Sequence, residues 1–291
     1  MSLSEPFREI EAAAGISLNP DSTRRVSGGC THETLLADTG EGKPFFLKLG
    51  SAGAVDQFLT EKRGLELLRD SKTIRVPEPF FAGISDNRAF LVLEALPLRP
   101  FSPGDQEKLG LELAEMHQTV SPTNQFGCDF DNFIGATPQP NPWTNSWAEF
   151  FTEHRLGHQF RLAEAAGNPF PEAAKLTGAI RPYLAGLDIS PALVHGDLWG
   201  GNASDTEEGS PVIFDPAPYF GDREVDIAFT TLFGGFDDSF YKAYRSIHPA
   251  PDPLLHAIYN LYHLLNHNYL FGGHYRDQSM HSMNAILRAL T

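Results

Sequence analysis

Basic residues are scarce in this chain. Its 291 residues hold 22 Lys and Arg against 37 Asp and Glu, a formal net charge of −15. Nucleic acid and anionic membranes need basic patches, so neither is an expected partner. Cysteine is scarcer still. Cys30 and Cys128 are too few for a disulfide framework. No apolar run approaches the roughly 20 residues that cross a bilayer. Met1-Ser2-Leu3-Ser4-Glu5 lacks the basic start and apolar core of a secretory signal. The sequon Asn202-Ala203-Ser204 is therefore not expected to carry sugar. These absences point to a reducing cytoplasm. Internal repeats and low-complexity tracts are missing too. With 41% hydrophobic and 20% charged residues, the remainder is that of a globular protein with one large domain or two lobes.

One stretch organises the rest. Val194-His195-Gly196-Asp197-Leu198-Trp199-Gly200-Gly201-Asn202 has the H-x-D-x-x-x-x-N form of a kinase catalytic loop. In such a loop the Asp takes the proton of the attacking hydroxyl and the Asn holds Mg²⁺. A second Asp leaves an apolar, β-prone run in Pro211-Val212-Ile213-Phe214-Asp215. Asp197 is thus the candidate base, and Asn202 and Asp215 are the candidate metal ligands. An acidic protein that binds anionic ATP needs local devices for it: backbone N–H groups, a buried Lys and metal.

Upstream, the same reading assigns those devices. Ser4 can cap a helix that ends near Ala14, before Gly15. Gly28 and Gly29 lie between two β-prone segments, where glycine lets backbone N–H groups approach phosphates. Thr39-Gly40-Glu41-Gly42-Lys43-Pro44 fails the P-loop spacing and reads as a hairpin turn. Pro44 to Leu49 is a strand with Lys48 inside its apolar run, and a charge there needs a partner. Ala54 to Arg69 reads as a helix. Glu61 falls on the face of Phe58, Leu65 and Leu68 and is the expected partner, whereas Glu66 falls outside it. Ala89 to Leu93 is a buried strand. Glu94, Ala95 and Leu96 follow it as the segment whose backbone would read adenine. The expected division is a nucleotide-binding lobe over 1–96 and a catalytic and substrate lobe over 97–291. The first is β-rich with one main helix and the second mostly helical, which makes the class α+β and the fold bilobal and protein-kinase-like.

In the second part, Ser102-Pro103-Gly104-Asp105 reads as a helix start, and Ser146-Trp147-Ala148-Glu149 as a capping box. Phe126 to Trp143 reads as a loop. Pro171 to Leu187 reads as a helix leading to the catalytic strand, and helices resume near Val225. Asp226 is expected to cap that helix and to brace the catalytic loop, with His195 as a further support. Asp215 is followed by Pro216-Ala217 and, after a short loop, by Val225. Neither Asp-Phe-Gly nor Ala-Pro-Glu is present, so a small acceptor is favoured over a peptide.

The chain resembles the fructosamine-3-kinase/ketosamine-3-kinase family, a branch of the aminoglycoside-phosphotransferase-like kinases. His195-Gly196-Asp197-Leu198-Trp199-Gly200-Gly201-Asn202 carries the likeness, and Trp199 sets it apart from the antibiotic kinases. Phe126-Gly127-Cys128-Asp129-Phe130-Asp131-Asn132, Asn141-Pro142-Trp143, Gly221-Asp222-Arg223-Glu224-Val225-Asp226 and Leu270-Phe271-Gly272-Gly273 extend it along nearly the whole chain. The resemblance implies ATP- and Mg²⁺-dependent phosphorylation of the sugar C3 hydroxyl of ketosamines, a deglycation step. An aminoglycoside or other amine or alcohol phosphotransferase is the alternative. Trp199 and His267 are candidates for the acceptor side, and Trp143 and Trp147 for stacking or for packing. Cys30, in the glycine loop, could crosslink two chains on oxidation, so the expected state is a monomer or a weak, redox-linked dimer.

Overall fold

The computed structural model describes residues 4–26, 32–40, 42, 44–102, 104 and 106–291. The chain forms two compact units, one of Met1–Pro100 with Ser204–Asp215, the other of Phe101–Ala203 with Pro216–Thr291. Among the described residues, no helix is long and apolar enough to cross a membrane.

The first unit is built on an antiparallel sheet of β1 (Arg24–Arg25), β2 (Glu33–Asp38), β3 (Pro44–Ser51), β4 (Pro79–Ser85) and β5 (Arg88–Glu94), in the order β1-β2-β3-β5-β4. Side chains alternate across a strand, so β3 faces two ways. Phe45, Leu47 and Leu49 pack with Phe90 and Val92 of β5 and with Phe7 and Ile10 of helix α1 (Ser4–Ala14). Lys48 has the opposite parity and turns toward helix α2 (Val55–Asp70). That helix buries Phe58, Leu65 and Leu68, the stripe expected of it. The strands Ala203–Thr206, which lies in this unit from Ser204 on, and Pro211–Ile213 form a small sheet with Leu98–Arg99. Ile213 N donates to Arg75 O at 3.1 Å, which fixes the run into Asp215.

The second unit is mainly helical: α3 (Glu107–Met116), α4 (Trp147–Glu149), α5 (Gly157–Ala165), α6 (Ala173–Ala185), α7 (Glu224–Thr230), α8 (Asp238–Arg245), α9 (Pro253–Phe271) and α10 (His274–Leu290). Ser146 caps α4 by accepting from Glu149 N at 3.3 Å, as a capping box should. The helix then widens into a π-helical stretch, Phe150–Leu156, before α5. Single π turns accommodate an extra residue and re-aim side chains. This one carries Arg155 inward, fully buried.

Three local expectations are corrected. The helix expected from Ser102-Pro103 starts at Glu107. The preceding backbone is tied instead to Asp237 and Ser239, through Gly104 N and Gln106 N at 2.7 and 3.2 Å. The stretch from Phe126 to Trp143 is not all loop: Asn132–Ile134 and Thr137–Gln139 pair as a hairpin. Asp226 does not cap α7: it lies inside the helix, which starts at Glu224 after Arg223 with no side-chain cap, and its carboxylate holds His195 N and Gly196 N instead, while Asp222 Oδ1 accepts from Glu224 N at 3.0 Å.

Candidate active site

In the first unit β3 delivers Lys48 to two carboxylates. Lys48 Nζ donates to Glu61 Oε1 at 2.7 Å and to Asp215 Oδ1 at 2.6 Å. Burial alone would lower the ammonium pKa. The two carboxylates outweigh it and hold the pKa above its ordinary value, so Lys48 is a cation. Glu66, set aside as a surface residue, pairs with Lys62 one helical turn away. Asp215 itself sits at φ +56°, a left-handed conformation that costs a non-glycine residue energy and is concentrated at functional sites. His32 is an addition that nothing in its residue type announced. Its ring lies 4.8 Å from that of Phe58. Burial first, then the nearby Lys48 charge, lowers its pKa. Glu94 ends β5 and accepts from Arg75 at 3.0 Å and from Glu78 N at 3.3 Å, so its side chain serves the fold. Ala95 and Leu96 run on from it, half-buried and outside any strand. Gly28, Gly29 and Cys30 lie outside the described residues.

In the second unit the strand Ala192–Val194 pairs with Tyr219–Gly221 and releases the loop that starts at His195. Asp226, buried, holds that loop by its backbone. Its Oδ2 accepts from His195 N at 2.7 Å and its Oδ1 from Gly196 N at 2.8 Å. His117, missed in the sequence, supports Asp226 from behind through Nε2 at 3.1 Å, and its Nδ1 meets the Tyr244 hydroxyl at 2.7 Å. His195 is fully buried, and its Nδ1 accepts from Asp197 N at 3.2 Å. Asn202 Nδ2 donates to Asp197 O at 2.8 Å and Oδ2 at 3.2 Å.

Gly196, which stands where a protein kinase has Arg, has a local reason as well. Its φ is +79°, and a Cβ there would lie 2.1 Å from Ala217 O. No side chain fits. The Trp199 indole folds back over Gly201, leaving less than 3 Å for a Cβ at that glycine.

The other aromatic candidates separate clearly. Trp147 is core: it is buried and its Nε1 donates to Tyr259 Oη at 2.8 Å, so it has no free edge for a sugar. Trp143 stacks on Phe220 at 6.1 Å between centroids. His267 is half-buried within a ring cluster of Phe233, Tyr275 and Phe271, at 4.5, 5.1 and 5.6 Å. Its Nδ1 lies 2.8 Å from His263 O, and burial lowers its pKa, which favours the neutral ring. Cys128 is buried beside Asp129, and burial pushes its thiol up to about 11, so it is no nucleophile at neutral pH.

A sheet-borne Lys paired with a helix Glu, a loop from His195 tethered by a buried Asp, and a second Asp at a strand end match the parts of a phosphotransferase of the protein-kinase-like class. The family model for fructosamine kinase matches residues 3–289. A protein of Synechocystis sp. named a probable ketoamine kinase is 44% identical over 283 residues, covering 97% of this chain and 95% of that protein. The chloroplastic protein-ribulosamine 3-kinase of Arabidopsis thaliana is 36% identical over 292 residues, covering 98% and 89%. A crystal structure from Haemophilus somnus 129PT, of a protein assigned as a fructosamine-3-kinase, superposes with a TM-score of 0.88 at 29% identity over 98% of each chain. The chain belongs to the fructosamine kinase family.

Proposed function

We propose that this protein transfers the γ-phosphoryl group of ATP to the sugar C3 hydroxyl of a ketosamine, with Mg²⁺. The observation that carries the reading is Lys48, a buried cation between Glu61 and Asp215. A lysine so held is oriented for the α- and β-phosphates. The backbone of Glu94, Ala95 and Leu96 reads the adenine. Asp197 orients the acceptor hydroxyl and takes its proton. The hydroxyl oxygen forms the new bond to the γ-phosphorus as the bond to the bridging oxygen breaks, and ADP leaves.

Asn202 and Asp215 suit a hard cation such as Mg²⁺, which prefers oxygen ligands. Each offers a side-chain oxygen: the Asn202 amide nitrogen donates to Asp197 O, and Lys48 engages Oδ1 of Asp215. When bound there the ion neutralises charge on the transferred group. His195 and Asp226 hold the loop and take no proton from substrate.

On the acceptor side we assign Trp199 and the cluster around His267. His267 sits among the rings of Phe233, Tyr275 and Phe271. An aromatic wall suits the apolar or cationic tail of an amine-linked sugar. The charge of −15 fits an amine-bearing acceptor and disfavours nucleic acid. We place the protein in the cytoplasm, as a monomer or weak dimer.

The test is ADP release with a fructosyl-amine, a ribulosyl-amine, an aminoglycoside or no acceptor, with Asp197→Asn as control. Turnover confined to the ketosamines and reduced by orders of magnitude in the variant is expected. Turnover on the aminoglycoside alone would move the protein to the antibiotic-kinase branch.

A further inference from the structure

The segment that follows Asp215 is short and is held by side chains from a distant part of the second unit. The hairpin Asn132–Ile134/Thr137–Gln139 supplies two of them. Gln139 Nε2 donates to Ala217 O at 3.2 Å and to Asn132 Oδ1 at 2.7 Å, and its Oε1 accepts from Tyr262 Oη at 2.6 Å. Asn132 Nδ2 donates to Pro218 O at 2.9 Å. Asn141 Nδ2 also donates to Asn132 Oδ1, at 3.1 Å, and Asn141 Oδ1 accepts from Arg155 Nη2 at 2.6 Å. Arg155, brought in by the π-helical stretch, lies 4.0 Å above the Tyr219 ring and 4.5 Å above that of Phe150. All five polar residues are at most 4% exposed.

The far end of this network is the catalytic loop. Ala217 N donates to His195 O at 2.9 Å, and Ala217 O fills the space that a side chain on Gly196 would need. The Ala217 peptide is therefore gripped on one side by Gln139 and on the other by the two residues that precede Asp197. A hairpin this short could pack with apolar side chains at similar stability, since a buried hydrogen bond contributes little net. What a satisfied polar network adds is one orientation. In a protein kinase the corresponding segment is long and is ordered by phosphorylation. Here it is short and ordered by buried amides.

We propose that Gln139 and Asn132 are positioning residues for phosphoryl transfer, locking the backbone after Asp215 against the His195–Asp197 turn through the carbonyls of Ala217 and Pro218. The inference rests on the kinase reading above for the role of Asp197. It makes the Phe126–Trp143 region part of the catalytic machinery without contact to substrate.

The test compares Gln139→Leu, Gln139→Glu and Tyr262→Phe with the unaltered protein. Ketosamine phosphorylation and acceptor-free ATP hydrolysis are both measured, so a ratio to the unaltered protein exists whatever the acceptor proves to be. Absence of ketosamine turnover in the unaltered protein would count against the substrate reading alone. Gln139→Leu is expected to lower kcat about 10- to 100-fold, as a small displacement of reacting groups does, with the KM for ATP within about twofold. Gln139→Glu should be as poor at neutral pH and recover relative to the unaltered protein as pH falls, because the new carboxyl can donate only when protonated. Tyr262→Phe removes the bond that orients the Gln139 amide and leaves the ring. It should lower kcat by about 3- to 10-fold with KM intact, and it decides the matter if the Gln139 variants do not fold. A kcat within twofold of the unaltered protein in folded Gln139→Leu or Tyr262→Phe overturns the proposal. So does a loss of kcat matched by an equal rise in KM with no recovery at low pH in Gln139→Glu.

Discussion

Asp226→Asn tests how the catalytic loop is held. The carboxylate accepts three hydrogen bonds: Gly196 N on Oδ1, and His195 N and His117 Nε2 on Oδ2. An amide has one oxygen, so one side must now face donors with a donor. The better orientation keeps the oxygen toward His195 and His117 and turns NH₂ toward Gly196 N. That leaves a buried N–H unsatisfied, at about 1–3 kcal/mol. The two remaining bonds lose their charge assistance, at roughly 1 kcal/mol each. The sum is about 3–5 kcal/mol, a large part of the ~5–15 kcal/mol that holds a typical domain. Urea unfolding at an unchanged m value reads the loss. Because Gly196 directly precedes Asp197, kcat should also fall about 100-fold in the protein that remains folded. A loss below about 1 kcal/mol together with unchanged kcat would refute the account of the tether.

Two further outcomes follow from charged groups in the structure. Lys48→Met leaves Glu61 and Asp215 facing each other without their cation. ATP affinity should weaken at least about tenfold and stability should drop by roughly 3–5 kcal/mol, as for other broken buried pairs; an ATP KM within twofold of the original would contradict the assignment. Glu224, with its side chain 4% exposed, accepts from both terminal nitrogens of Arg245 at 2.7 and 2.8 Å and from His256 at 2.8 Å. Burial would raise its pKa, but these partners hold it down to about 2, against 4.5 for a free Glu. The native state therefore gains stability that is complete above pH ~4.5 and lost as pH falls toward 2, roughly 3 kcal/mol in all. Acid unfolding of Glu224→Gln should lack this component; identical pH dependence in the two proteins would show that the pairing contributes nothing.

Features whose cause is local could be read before any coordinates. The α1 helix ends at Ala14 because Gly15 follows, with φ +69°. The Ser146 cap forms because a Ser hydroxyl before a helix can accept from the backbone N–H three residues on. The α2 stripe is a matter of helical spacing, and Glu61 on it faces the strand that carries Lys48. The sequence around Ser102 has an equally good local signal, yet the helix starts only at Glu107, since Gly104 and Gln106 bond to a segment over 130 residues away. The hairpin at Asn132 was hidden because its strands are three residues long and their polar side chains point inward, where alternation gives no signal.

The sequence by itself determined the fold family and the pairing of Lys48, inside an apolar strand, with Glu61 one helix later, and it put forward Asp197, Asn202 and Asp215 in order. These are short-range patterns, and spacing along the chain carries them. The brace Asp226 was expected from the sequence, but only the tertiary structure decided what backs it. Behind Asp226 of α7 stand His117, which follows α3, and Tyr244 of α8. Arg155 is turned inward by a π-helical stretch that no propensity marks, and Trp147 belongs to the core because Tyr259 meets its indole N–H. Those roles depend on which residues, far apart in the chain, share one buried space, and hydrogen bonds that must be satisfied away from water decide it.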